Sequence, residues 1–440
     1  VQEAKEKKER LVSAQRALVK ELRQKFPVYA ALHYPEPLPA RELPLKPQEV
    51  LLEYALGDKA SYVLVVRQGG VKKIIRLPLG RKALEGKVKS FMAPLLDMEL
   101  SAFSIAQGKE LGDLLLKEAL VEVQEGERLI IIPDGLLGLL PFEALLIKEG
   151  NGVQDSVYVG DRYTLTYYQS ATVLALKRRL QAPRAKRSLF ALGNPVFSQK
   201  DPRYVASKQG KEKPKLLAQA GSQYAFRALA THQDWGKTRQ GDDGGKELTC
   251  PPLPETETEV KDIAQIFQVK PEPPDVLLNL QANETVLKRS PLGDYRYLHF
   301  ATHADLPGKV QGVNEPFILL GQVDNAEGDN GFLTMSEVLD LKLNADMVVL
   351  SACLTGRGQV MEGEGVANFA RAFQHAGTQS VVVSLWPLAS LEAVTFMTQF
   401  YAHLKEGKSR SEALQLSRRA IKAKYPHPFY WGVFILHGEE

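Results

Sequence analysis

The stretch "VVLSACLTGRG", Val348–Gly358, decides the fold class of this 440-residue chain. Apolar residues lead to a cysteine, Cys353, and glycines follow within a few positions. A short apolar run that ends in turn residues is typical of a strand buried on both faces, as in a parallel sheet. The segments "YRYLHFATH" (Tyr295–His303) and "SVVVSLW" (Ser380–Trp386) have a similar pattern. We therefore expect a parallel sheet in the second half of the chain.

Helical patterns alternate with these strands. "TETEVKDIAQIF" (Thr256–Phe267) begins with a capping-box pattern, and "GEGVANFARAFQHAG" (Gly363–Gly377) ends in glycine. The first half of the chain has its own apolar strands, Arg128–Pro133 and Ser188–Pro195, and a hairpin pattern at Ser61–Leu79. This alternation predicts an α/β fold, a mostly parallel sheet covered by helices.

Changes in composition divide the chain into four parts. Residues 1–48 combine an amphipathic helix, predicted to end near residue 26, with a proline-rich connector. Residues 49–197 form an N-terminal half, and residues 253–440 form a C-terminal half. Between them, residues 198–252 are rich in Gly, Lys, Gln and Pro, which favours an exposed, mobile insertion.

The composition argues against several classes of protein. The 56 basic and 52 acidic residues give a net charge of only +4, which does not indicate a surface that binds nucleic acid. No apolar run approaches the ~20 residues of a membrane span, and the N-terminus has no apolar signal segment. Two cysteines, Cys250 and Cys353, are too few for a disulfide scaffold, so we expect a reducing compartment, the cytoplasm. The chain begins with Val, and we expect a processed product or a piece of a longer protein.

His303 and Cys353 each stand at the end of a predicted parallel strand. Catalytic groups gather at the carboxyl ends of such strands. The histidine precedes the cysteine by about 50 residues, the spacing known from caspases. A thiolate is a strong nucleophile, and a nearby histidine can take the thiol proton and later deliver it to a leaving amine. The pair therefore points to peptide-bond hydrolysis without a cofactor.

The same chemistry requires N–H donors for the oxyanion of the tetrahedral intermediate. The backbone N–H of Cys353 supplies one, and that of Ala304 would supply another. Glycines after the cysteine, Gly356 and Gly358, allow the backbone to bend closely around a substrate. His299 and His303 would share one face of an extended strand, but no third ligand has a suitable spacing, so we expect no metal.

These segments resemble the CHAT domain, a caspase-like peptidase domain of the clan that also holds separases and metacaspases. The motifs run in order from about Val50 to Gly438 and include "IPDGLLGLLPFEAL", "LGNP", "YLHFATH", "VVLSACLTG" and "HPFYWGVFILHGE". The resemblance implies that His303 and Cys353 are catalytic and that the chain cleaves a partner protein. It also implies that residues 49–197 are a degenerate, non-catalytic caspase-like half.

The resemblance further implies a wider context. Domains of this family are often joined to helical TPR repeats, and the helix at residues 1–26 would be the last piece of such an array. Activity would depend on a partner or a conformational signal that orders the cleft loops.

Two positions depart from the family pattern. Ala304 stands where the family has Gly, although Ala keeps the N–H, and Ser390 stands where an Asp is common. Candidate residues of the substrate pocket are Asp305, Ser351, Glu364 and Trp386. An acidic pocket would favour Arg or Lys at the cleaved position, but Ser351 stands where related peptidases for basic residues carry an acid. The preference at the cleaved residue stays open.

Each interpretation has a structural alternative. Cys353 could be a small buried apolar side chain, His303 a strand-end histidine with satisfied hydrogen bonds, and Trp386 a core aromatic. "GRGQVMEGEGVANFA" has the glycines of a phosphate-binding loop but not the Gly-Lys-Ser/Thr that such a loop requires. The whole chain could also be a catalytically silent signalling scaffold that uses the fold for protein docking.

Overall fold

The computed structural model describes most of the chain. The described residues are 2–25, 37–179, 185–210, 238–240, 246–248, 250–305, 310, 312–353, 365–388 and 390–440.

Strands occur throughout these residues. In chain order they are β1 (Glu49–Leu56), β2 (Ser61–Arg67), β3 (Gly70–Leu77), β4 (Arg128–Ile132), β5 (Leu146–Lys148), β6 (Val157–Tyr158), β7 (Thr164–Tyr167), β8 (Arg187–Gly193), β9 (Thr238–Gln240), β10 (Lys246–Leu248), β11 (Val276–Leu278), β12 (Tyr295–Ala301), β13 (Ala304–Asp305), β14 (Phe317–Leu319), β15 (Phe332–Thr334), β16 (Met347–Cys353), β17 (Ser380–Ser384) and β18 (Phe434–Gly438).

Helices connect most of the strands. In chain order they are α1 (Gln2–Lys25), α2 (Arg81–Leu96), α3 (Ile105–Gly112), α4 (Val159–Arg162), α5 (Ala171–Arg179), α6 (Pro202–Lys208), α7 (Pro254–Ile266), α8 (Glu284–Arg289), α9 (Met335–Asp340), α10 (Gly365–His375), α11 (Ser390–Lys405), α12 (Arg410–Lys424) and α13 (Pro428–Trp431). Within the described part of the chain, none of them combines the length and the apolar character needed to cross a membrane.

One large sheet organises the molecule. Its eleven strands have the order β11-β8-β12-β16-β17-β18-β7-β4-β1-β2-β3. Strands β11, β8, β12, β16 and β17 pair in parallel, and so do β1, β4 and β7. The hairpin β2–β3 adds antiparallel strands at one edge, and β18 is antiparallel to β17. The predicted α/β class with a mostly parallel sheet is confirmed.

Helices cover both faces of the central strands. Val348 and Val349 are neighbours on β16, so their side chains point to opposite faces, and both are fully buried. Helix α7 packs on β8 and β12, and α11 packs on α7. The continuous apolar run of β16 is therefore explained by burial on both sides, which the sequence pattern predicts.

The two predicted halves share this one sheet, where β18 and β7 meet in a bridge between His437 and Tyr167. β8 precedes the predicted boundary at residue 197, but it lies between β11 and β12. A division after residue 197 therefore separates β8 from the strands with which it pairs. The apolar strands of the two halves have the same local sequence pattern. The pattern therefore does not show which strands pair, because pairing depends on tertiary packing.

The N-terminal helix is largely exposed, whereas the start of the predicted insertion packs on the rest of the protein. Helix α1 matches the predicted N-terminal helix, and its apolar side chains Leu11 and Leu18 are 62% and 53% exposed. In the predicted insertion, residues 202–208 form α6, and Arg203 is buried against the body of the protein. Residues 211–237, 241–245 and 249 of the insertion lie outside the described residues.

A buried polar cluster lies where the two halves of the sheet meet. Arg418 donates to Glu143 at 2.9 Å, and the Tyr167 hydroxyl donates to the same carboxylate at 2.6 Å. Buried charges are costly unless they are paired in this way. The ring of His437 lies 5.6 Å from that of Tyr167, between centroids, and burial lowers the pKa of His437 to about 4. His437 is therefore neutral in the folded protein near neutral pH.

We predict that His437 destabilises the fold in mild acid. Its ordinary pKa is 6.5 and its folded pKa is about 4, so the unfolded chain binds more protons between these pH values. The free energy of unfolding attributable to this group therefore falls as the pH drops through this window, by about 3 kcal/mol in total. Denaturant titrations at several pH values measure the slope in the wild type and in His437→Gln. A slope that is unchanged in the variant would contradict the assignment.

Candidate active site

The candidate site lies at the carboxyl edge of the sheet, where β12 and β16 end side by side. These strands are parallel, and Ala301 pairs with Ser351. His303 and Cys353 each follow their paired residue by two positions, so both lie at this edge. Cys353 is the last residue of β16, and its backbone pairs with Ser384 of β17. The side chain of Cys353 lies outside the described part of the structure.

The imidazole of His303 is buried and oriented by its neighbours. Its Nε2 lies 3.0 Å from the carbonyl oxygen of Pro251, and its ring centroid lies 5.4 Å from that of Phe197. Because a carbonyl oxygen only accepts, this contact assigns the ring hydrogen to Nε2. The neutral ring then carries its lone pair on Nδ1, the nitrogen that can take a proton.

The backbone that follows His303 forms a short antiparallel ladder. The N–H of Leu319 donates to the carbonyl of His303 at 2.8 Å, and Ala304 pairs with Ile318 in the next position. Hydrogen-bonded and non-hydrogen-bonded pairs alternate in such a ladder, so the N–H of Ala304 points away from β14. β13 also lies against β16, the strand that ends in Cys353. This direction is compatible with the oxyanion role expected for Ala304.

The end of β16 departs from regular pairing. Its register against β17 shifts between Leu350 and Cys353, an irregularity of the kind that re-aims a side chain next to a site. The hydroxyl of Ser384 donates to the carbonyl of Ala352 at 2.6 Å, and Ser384 is buried. This hydrogen bond holds the peptide unit directly before Cys353.

The residues predicted to line a substrate pocket have different surroundings. Asp305 is buried in β13, and Ser351 is half-buried on β16. Glu364 lies outside the described residues, as do Gly356 and Gly358. Trp386 is fully buried, and its Nε1 donates to the carbonyl of Phe429 at 2.9 Å. The Trp386 ring is therefore enclosed with its N–H satisfied, as in a core aromatic, and its role in a substrate pocket stays a prediction.

His299, four residues before His303, has separate partners. Its Nε2 lies 2.9 Å from Glu259, its Nδ1 lies 3.2 Å from the hydroxyl of Tyr401, and the ring is completely buried. Across the described ranges, no group of three or more His, Cys, Asp and Glu side chains is arranged to hold a metal ion. His299 links β12 to the helices that cover it.

Two contacts of His303 were not anticipated from the sequence. Pro251 contributes only its main-chain oxygen, and Phe197 lies more than a hundred positions before His303. Neither residue type signals a catalytic role. Their position offers one clue, because both stand at the ends of the predicted insertion, residues 198–252.

Two serines of β17 allow a matched test of the hydrogen bond that holds the peptide unit before Cys353. Ser384→Ala leaves the Ala352 carbonyl without its donor and should lower the free energy of unfolding by about 1–2 kcal/mol. Ser380→Ala removes a similar bond, to the carbonyl of Asp346 at 3.0 Å, at the opposite end of β17. Denaturant titration should show similar losses in both variants.

Only Ser384→Ala should also alter the rate at which iodoacetamide alkylates the Cys353 thiol, measured by peptide mass spectrometry. Equal alkylation rates in the two variants would argue against a role of Ser384 at the site.

A helix-covered, mostly parallel sheet with a histidine and a cysteine at the ends of neighbouring strands defines an α/β class of protein. Residues 106–439, more than half of the chain, match the family model of the CHAT domain. The chain belongs to the CHAT domain family. The mostly parallel sheet with its covering helices is therefore the fold of a CHAT domain.

Two curated relatives carry the name tetratricopeptide repeat protein 28. The human protein is 24% identical over 343 residues, which are 71% of this chain and 12% of that protein. The mouse protein is 34% identical over 110 residues, which are 24% of this chain and 4% of that protein. The chain thus spans a small part of the length of these relatives.

Two solved structures resemble the chain distantly. The separase–securin complex of Saccharomyces cerevisiae has a TM-score of 0.35 at 13% identity, over 77% of this chain and 17% of that one. The Arg-specific cysteine proteinase gingipain R has a TM-score of 0.39 at 10% identity, over 81% of this chain and 75% of that one.

Proposed function

We propose that this chain is a caspase-like cysteine endopeptidase in which Cys353 is the nucleophile and His303 the general base and acid. The observation that carries the proposal is the pairing of Ala301 with Ser351, which brings the two residues to one edge of the sheet. The hydrogen bond to Pro251 supports it, since it gives His303 the tautomer that a base at Nδ1 requires.

The reaction uses these groups in two stages. Nδ1 of His303 takes the thiol proton, and the Cys353 sulfur attacks the carbonyl carbon of the scissile peptide bond. The C–N bond breaks as the imidazolium returns its proton to the leaving amine, and a thioester remains. A water molecule, deprotonated by His303, then attacks the thioester, releases the new carboxyl terminus and restores the thiol. The Pro251 carbonyl stabilises the imidazolium by accepting from Nε2.

Backbone N–H groups complete this mechanism. The tetrahedral intermediate carries a negative oxygen, which the N–H groups of Ala304 and Cys353 would bind. The direction of the Ala304 N–H away from β14 supports this role. Loss of one such donor typically slows an acyl transfer on the order of 100- to 1,000-fold.

The proposed enzyme also needs a substrate and a means of regulation. We infer a protein substrate and activation by a partner protein or a conformational signal, with no direct contact to nucleic acid or membrane. The relatives are named for tetratricopeptide repeats, and the exposed Leu11 and Leu18 of α1 suit contact with further helices. A reducing compartment, the cytoplasm, suits a chain with two cysteines of which one must stay a thiol.

We predict that Cys353→Ala and His303→Ala each abolish peptide cleavage and leave the fold intact. Without the thiol no acyl-enzyme forms, and without the imidazole the thiol stays protonated near neutral pH. Mass spectrometry of new termini in a peptide library measures cleavage and reads the preference at the cleaved residue. Cys250→Ser, which removes the other cysteine, is the control and should cleave as the wild type does. Undiminished cleavage by either of the first two variants would refute the dyad.

A catalytically silent scaffold is the competing outcome. An electrophilic peptide probe separates the two functions, because a peptidase thiol reacts with it in a manner that depends on the histidine. We expect rapid labelling of Cys353 in the wild type and slow labelling in His303→Ala. Equal, slow labelling of both folded proteins would favour the scaffold.

A further inference from the structure

Arg203 is a buried cation in the segment that follows β8. It lies at the start of α6, only 4% of it is exposed, and it makes a dense set of hydrogen bonds. Its Nε and Nη2 donate to the two carboxylate oxygens of Asp201 at 2.9 and 2.6 Å. Such a two-pronged pair fixes the plane of the guanidinium. The remaining donors are therefore held in defined directions.

Those donors hold the turn that follows β8. Nη1 donates to the carbonyl of Asn194 at 3.0 Å and to the side chain of Asn279 at 2.9 Å, and Nη2 lies 3.3 Å from the carbonyl of Pro195. Asn194 has a positive φ of 48°, a backbone conformation that is uncommon for residues other than glycine. Its N–H is bound by Thr256 at 2.8 Å. Two side chains, Arg203 and Thr256, thus bind the backbone of the turn.

An acidic side chain beside the turn accepts a further hydrogen bond from it. Asn194 Nδ2 donates to Glu257 at 3.0 Å. Burial raises the pKa of Glu257, but hydrogen bonds from Lys261 and Asn194 outweigh this and lower it. Glu257 therefore stays ionised and keeps the side chain of Asn194 in place.

The turn is joined by a short stretch of backbone to Phe197, which contacts His303. Two residues after Pro195, the ring of Phe197 lies against the imidazole of His303, with 5.4 Å between centroids. The connecting residue, Val196, accepts from the N–H of Gln322 at 2.9 Å. A displacement of the Asn194–Pro195 turn would therefore be passed to the Phe197 ring over a short, hydrogen-bonded stretch of backbone.

We propose that Arg203 is a positioning residue for His303, acting through the Asn194–Pro195 turn and the ring of Phe197. His303 then contacts both ends of the insertion: the Phe197 ring packs on the imidazole, and the Pro251 carbonyl binds its Nε2. A displacement of α6, residues 202–208, would thus shift the Phe197 ring and change the orientation of the imidazole. This role rests on the proposed dyad of His303 and Cys353.

Arg203→Lys tests the role while it keeps the positive charge. A lysine offers three donors from one point and cannot reproduce the planar contacts to Asp201 and two carbonyls. Asp201→Asn is a second variant, which keeps the cap of α6 and removes the charge that orients the guanidinium. Arg67→Lys is the matched control, because Arg67 also binds a carboxylate, Glu127, and a carbonyl, but in the N-terminal half.

The measurement is the rate of Cys353 alkylation by iodoacetamide against pH, read by peptide mass spectrometry beside a thermal melt. The thiolate displaces iodide, so the rate reports how well His303 stabilises the thiolate. We expect Arg203→Lys and Asp201→Asn to slow alkylation about tenfold near neutral pH and to move the pH midpoint toward that of an ordinary thiol. Arg67→Lys should lower the melting temperature without changing the alkylation profile.

Each contrary outcome has its own meaning. If the wild type and His303→Ala alkylate alike, the dyad itself is wrong. If they differ, but the folded Arg203→Lys and Asp201→Asn proteins both follow the wild-type profile, the positioning role of Arg203 is wrong and the proposed function stands. If Arg203→Lys does not fold, the profile of Asp201→Asn decides.

Discussion

The parallel pairing of β12 with β16 is the constraint on which the candidate site depends. Ala301 and Ser351 are partners in this ladder, and the site residues follow directly after them. A slip of one residue would move one strand end past the other by about 3.3 Å and turn its buried side chains to the opposite face. Val348 and Val349 are both fully buried, so such a slip would displace packed side chains on both faces of the strand. The core therefore sets the geometry of the edge.

The imidazole of His303 is oriented by segments that are remote from it in sequence. The Pro251 carbonyl binds one ring nitrogen, and the Phe197 ring packs beside it. Both segments adjoin the insertion between the halves. A displacement of either segment would therefore change a contact of the imidazole.

The N-terminal half extends the sheet whose edge carries the site. Its strands continue the sheet beyond β18, and its charged side chains bind the end of the chain. Arg178 donates to Glu439 at 2.7 Å and to Glu49 at 2.6 Å. Burial raises the pKa of Glu49, but the hydrogen bonds from Arg178 and Lys46 outweigh this effect and lower it. These buried pairs tie β1, α5 and the residues after β18 together, which holds the two halves as one sheet.

Sequence by itself determined the class of the fold and the end of β16 at Cys353, and it supplied the two residues of the proposed dyad. β12 ends at Ala301 and β17 at Ser384, each two residues before the predicted end. Apolar runs and the turn residues that end them are local features, and His303 and Cys353 stand where such runs stop. Tertiary structure alone decided that β8 pairs with β11 and β12, and that the ring of Trp386 is fully enclosed. It also decided that a main-chain oxygen of Pro251 orients His303. These features depend on which strands become neighbours, and a backbone carbonyl is the same in every residue type, so no local pattern encodes them.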